Sequence, residues 1–195
     1  DTLIVGKTIG AAALAAVGSA YALMVLLTSI ILGLCMGSSV VFSQLYGAGK
    51  IDDMKVSIYN SFFFILLVSI AINLFSLAFL DKFLVWLNIP QESLAYTRQY
   101  LQIVLFGMTF VSLYNFFAAV LRSIGNTVVP LLVLVVSALT NIVLDLVFIL
   151  IFHMEVAGAA IATLIAQIVS SITLSLYFLA KARHLCPQKK AQTLR

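Results

Sequence analysis

Residues 129–152 read VPLLVLVVSALTNIVLDLVFILIF. The stretch is long enough to cross a bilayer as one helix, which takes about 20 apolar residues. Pro130 stands at its start, where a helix tolerates proline. Within it lie Asn141 and, four residues on, Asp145, the only formal charge well inside any complete apolar segment of the chain. An acid at that depth is costly and points to a functional site. The spacing of four puts Asn141 and Asp145 on one helix face. An amide carbonyl beside a carboxylate can hold a proton or a small hard cation through oxygen atoms. The competing reading is a buried Asp bonded to a neighbouring helix as structural glue.

Composition agrees with a membrane protein. Of the 195 residues, 63% are hydrophobic and 9% charged, against roughly a quarter charged in a soluble domain; mean hydropathy is +1.17. The net charge of +4 does not indicate nucleic acid, because the basic residues sit in loops and in the tail KARHLCPQKKAQTLR. Cys35 lies in an apolar segment and Cys186 in that tail, so no spacing supports a disulfide, zinc site or nucleophile. The start on Asp1 and the polar tail lead us to expect a piece of a longer chain.

Read outward from the central stretch, the chain divides into apolar segments. DTLIV, residues 1–5, reads as the last turns of a helix, closed by Gly6, Lys7 and Gly10. A long segment covers 13–46; Gly33 and Gly37 on it form a G-x-x-x-G pair expected to pack closely on another helix. YGAG at 46–49 reads as a helix stop and lacks the spacing of a phosphate loop. Further spans are expected at 56–80, 100–121, 129–152 and 157–180. The connection between the second and third is long, with Pro90 suited to a helix start and Trp86, Tyr96 and Tyr100 suited to an interfacial aromatic belt. The result is five complete spans and the end of a sixth: an all-α, polytopic transmembrane bundle.

Basic residues orient it. With the spans alternating, Lys7, Lys82 and Arg98 fall on one side and the other eight of the 11 Lys and Arg on the opposite, cytoplasmic side. Depths then follow from the helical rise of about 1.5 Å per residue. Asp145 lies roughly 10 Å inside the outer end of its helix, Thr163 roughly 9 Å in from the same side and Asp1 roughly 8 Å. Oxygen-bearing side chains of three helices thus share one depth in the outer half of the membrane.

Four stretches carry a resemblance over nearly the whole chain: MGSSVVFSQLYGAGKIDDM, AAVLRSIGNTVVP, NIVLDLVFI and VAGAAIATLIAQ. In this order and spacing the chain resembles the multidrug and toxic compound extrusion (MATE) transporters. The resemblance implies one six-helix lobe of a twelve-helix transporter. Residues 1–180 would be an N-terminal transmembrane lobe truncated in helix one, and 181–195 a cytoplasmic linker to a missing C-terminal lobe. It implies a multi-pass protein of a bacterial or archaeal plasma membrane that exports drugs or organic cations by alternating access. The exchange would be for protons or sodium ions, with no cofactor. A cation site carried by such lobes maps onto Asp1, Asn141, Asp145 and Thr163. Asn115 and Gln167 are candidates for the substrate chamber.

Each position has a plainer reading too. Asn141 suits an ordinary interhelical hydrogen bond, and Thr163 a bond to its own helix backbone. Asn115 and Gln167 also suit simple packing. His153 and Glu155, two apart in an outer turn, make no metal motif. A related lipid or oligosaccharide flippase is the alternative function, but it calls for basic residues inside the spans, and none is found there. A membrane enzyme would need clustered His, Asp or Glu at one face, where the outer loops offer only scattered ones.

Overall fold

A computed structural model describes residues 11–181. Helix α1, Ala11–Gly47, runs 37 residues, well beyond the length one span requires. It stops where the glycines begin: Gly49 has φ +70, a conformation an L side chain resists. Helix α2, Ile51–Ala78, returns across the same thickness and opens with Asp52 and Asp53 in its first turn, favourable against the helix dipole. The long connection then contains the short helix α3, Leu80–Trp86, and Pro90 immediately precedes α4.

The expected span at 100–121 takes a different form. It begins earlier and is divided into α4, Gln91–Phe106, and α5, Met108–Ser123, bent by 44° at Gly107. The N–H of Gly107 reaches back only three residues, to Val104 O at 2.9 Å, which tightens the turn and redirects the axis. Helix α6, Val128–Leu146, continues into a π turn, Val147–Ile151, where the Phe152 N–H bonds Val147 O at 3.1 Å. A tight reversal through His153 (φ 53) leads into α7, Glu155–Lys181. Four of these helices are long and apolar enough to span a membrane, five with the bent pair counted as one, which agrees with the five complete spans expected.

Of the sequence neighbours, α1 packs with α2 and α6 with α7; α1 is central against α2, α4 and α5, and α7 fills the space between α4, α5 and α6. The two ends of the bundle differ. Towards the end that carries the excess of Lys and Arg, Phe42 of α1, Phe62 of α2, Phe116 and Phe117 of α5 and Phe178 of α7 stack edge-on or tilted, with ring centroids 5.0–6.2 Å apart. Such aromatic contacts add to burial and knit four helices into one core. The opposite half instead holds a cavity and the polar residues described below.

One packing expectation is corrected. A Cβ built on Gly33 or Gly37 meets nothing within 4 Å. The pair faces away from the other described helices, so its open backbone is not used in their packing. The helix end read at 1–5 and nearly all of the tail at 181–195 lie outside the described residues.

Candidate cation site

The pairing of α6 with α7 is built from one stripe. Ser137, Asn141 and Asp145 follow at intervals of four, so they stack along one face of α6. That face meets α7. The Ser137 hydroxyl donates to Ala166 O at 2.8 Å, and one turn further out Asn141 Nδ2 donates to Thr163 Oγ1 at 3.4 Å. In antiparallel register Asp145 then comes level with the next outward turn of α7, where Gly158, Ala159, Ala160 and Ala162 are all buried. Small residues there let the helices approach: a Cβ on Gly158 would stand 3.0 Å from Phe148 Cβ. The close approach closes over the acid, and Asp145 is 0% exposed.

A third helix completes the cluster. Tyr100 of α4 is 6% exposed; it borders the same cavity as Thr163, and its hydroxyl lies near enough to the Thr163 side chain and to Asp145 for both to act on it. Tyr100, Asn141, Asp145 and Thr163 therefore form one group contributed by α4, α6 and α7, and none of the four is without an interaction partner. Carboxylate, amide and hydroxyl oxygens of this kind suit a proton or a hard cation.

The outcome for the expected residues is mixed. Asn141, Asp145 and Thr163 are brought together. Thr163 takes a bond from a neighbouring helix, where an isolated membrane threonine ordinarily turns to its own backbone. Asp1 lies outside the described residues. Tyr100, expected in an aromatic belt, is instead buried in the group. The buried set on α4, Ser93, Thr97, Tyr100, Leu101 and Val104, repeats at helical spacing, and that periodicity carried the signal.

Beside the group lies a cavity of about 450 Å³ between α1, α4, α5 and α7. Thr163 and Tyr100 form its polar edge, and its walls include Met24, Val25 and Val104. Gln167, one turn from Thr163 on α7, lines it as well. Asn115 is not among its lining residues: its Nδ2 donates to Val111 O at 2.8 Å, on its own helix, while Val111 lines the cavity. Among the described residues no group of His, Cys, Asp or Glu could hold a metal ion by itself.

Comparison with known proteins fits this architecture. The MatE family model matches residues 1–147. The chain is 33% identical over 170 residues to "Probable multidrug resistance protein YpnP" of Bacillus subtilis (strain 168), covering 86% of this chain and 38% of that protein. It is 29% identical over 149 residues to "Multidrug export protein MepA" of Staphylococcus saprophyticus, covering 75% of this chain and 33% of the relative. The structure superimposes with TM-score 0.87, at 24% identity, on "Outward-facing conformation of a multidrug resistance MATE family transporter of the MOP superfamily", over 97% of this chain and 44% of that one. The chain thus spans less than half the length of the relatives it matches. It is an integral membrane protein of several helical spans and belongs to the MatE family, the multidrug and toxic compound extrusion transporters.

Proposed function

We propose that this chain is the cation-coupling lobe of an antiporter that exports drugs or organic cations in exchange for protons or sodium ions. The observation that carries the reading is the fully buried Asp145, set against Asn141, Thr163 and Tyr100 at the edge of a cavity. In the outward-open state Asp145 takes up the ion. Binding changes the charge between α4, α6 and α7, and with it the packing of those helices. To drive transport, the ion must bind one of the two conformations better than the other.

The cavity is the candidate chamber for substrate. Its mostly apolar wall with a polar edge suits an organic cation with an apolar body, and Met24 can adapt to varied shapes. In this reading Gln167 borders the substrate path by its side-chain stem, its amide lying against Gly107, and Asn115 acts one turn away through α5. A second lobe of the same length, joined through residues 181–195, closes the other side of the chamber. The names of YpnP and MepA support multidrug export as the substrate class.

The test uses the two-lobe transporter carrying this lobe, in drug-loaded cells. Efflux of a fluorescent organic cation is followed with and without a proton or a sodium ionophore. The reading expects one ionophore to abolish efflux and thereby identify the ion. Efflux that neither ionophore touches would exclude ion coupling.

A further inference from the structure

Gly107 poses a problem of space rather than of backbone. Its φ of −74 and ψ of −15 are ordinary right-handed values that any residue adopts. Yet a Cβ at this position would stand 1.8 Å from Gln167 Oε1 and 3.0 Å from Gln167 Cδ. No real side chain tolerates the first of these distances. The Gln167 amide therefore occupies the place that a side chain of residue 107 would take. Its oxygen is buried there without a hydrogen-bond partner among the described residues, an arrangement that is unfavourable by itself.

The position of Gln167 gives that arrangement a use. The residue belongs to the cavity wall, one turn from Thr163 and across from Tyr100. Residue 107 lies at the bend of the α4–α5 span, where the missing side chain leaves a notch in the wall. With its amide in the notch, Gln167 leaves the space beside Thr163 and Tyr100 open. Any larger residue at 107 pushes the amide out, and the cavity is the open side.

We propose that Gly107 is a specificity-determining residue: its bare Cα takes the Gln167 amide out of the cavity and so admits a bulky, planar organic cation beside Thr163 and Tyr100. The inference rests on the reading of this cavity as the substrate chamber. A small cation, which does not need the cleared space, is indifferent to the notch.

The experiment compares ethidium with tetraethylammonium in proteoliposomes of the two-lobe transporter, for wild type, Gly107→Ala, Gln167→Ala and the double variant. Gly107→Ala is expected to lower kcat/KM for ethidium by roughly tenfold or more, the scale of one added methyl in an apolar pocket. Tetraethylammonium should change less than about twofold. In the double variant the methyl fills the notch that the amide has left, and ethidium transport should recover to within about threefold of wild type, as for two coupled sites. If Gly107→Ala alone fails to reach the membrane, the double variant carries the test, with wild-type selectivity expected. An equal loss for both substrates with no recovery would mean that residue 107 serves only the helix bend, and would overturn the proposal. So would an unchanged ratio in Gly107→Ala. A separate variant, Val25→Trp, fills the cavity from α1. Ethidium transport that survives it removes the chamber reading itself, whatever happens at residue 107.

Discussion

Asp145 is the residue whose energetics set the terms for all the others. A carboxylate near the middle of a membrane helix costs about 2.5–3.5 kcal/mol on insertion scales. An interhelical hydrogen bond within a membrane returns on average about 0.6 kcal/mol. One such bond does not offset the cost. On the proposed reading the acid is retained for the ion it binds, and its neighbours shape that binding. Tyr100→Phe removes one hydroxyl from the group and keeps the ring in place. It should weaken the response to the coupling ion by about fivefold to tenfold, on the scale of one hydrogen bond of about 1 kcal/mol. Asn141→Ala should weaken it by about 10- to 100-fold, as loss of a close supporting partner does at ion sites. Both are measured as the ion concentration for half-maximal efflux, and an unchanged value in either removes that residue from the site. Asn141, Asp145 and Thr163 were legible in the sequence because polar atoms in an apolar run have few uses, and because helical rise turns position into depth. Tyr100 was not, because a tyrosine near the end of an apolar run suits the interface as well as the interior. Only its place in the buried repeat of α4 separates the two.

At the scale of the element, two places decide whether the cluster can form. The first is the contact of α7 with the end of α6. A side chain on Gly158 meets Phe148 Cβ at 3.0 Å, Met154 Cβ at 3.2 Å and Phe148 C at 3.3 Å, and backbone cannot yield as a flexible side chain can. Gly158→Leu should therefore push the helices apart beside Asp145. It should cost about 1–3 kcal/mol, as overpacking does, seen as a lower melting temperature in detergent together with lost coupling. A variant of unaltered stability and coupling would show that the contact is slack. The second place is the bend at Gly107. The span expected at 100–121 carries no sequence sign of a bend, since no proline interrupts it and a glycine there is ordinary in membrane helices. The bend coincides with the tight turn at Gly107, against which the Gln167 amide of α7 is packed. The π turn after Leu146 was equally invisible, since VFILI reads as plain apolar sequence. For the Gly33–Gly37 pair the spacing permits close packing, and no partner for it stands among the described residues.

The whole molecule has a tight end and an open end. Phe42, Phe62, Phe116, Phe117 and Phe178 bind the Lys- and Arg-rich half together, while the opposite half holds the cavity and the buried acid. Phe116→Ala should cost about 3–5 kcal/mol of stability, whereas Asn141→Ala should cost less than about 1 kcal/mol. Thermal unfolding of the two variants measures the contrast, and equal losses would show that the halves are not distinct. Orientation rests on the excess of Lys and Arg on one side. A single cysteine at Asp52 should react with an impermeant thiol reagent only in inverted vesicles, and one at Asp81 only in intact cells; the reverse pattern inverts the topology. The number of spans and the bundle class were legible because hydrocarbon thickness and backbone hydrogen bonding leave few alternatives. The most direct test of the whole account is gradient-driven accumulation of an organic cation in proteoliposomes of the two-lobe transporter, comparing wild type with Asp145→Asn. The account predicts that the variant folds and binds the cation but does not accumulate it against its gradient. Accumulation at the wild-type rate would contradict it and leave Asp145 a structural residue.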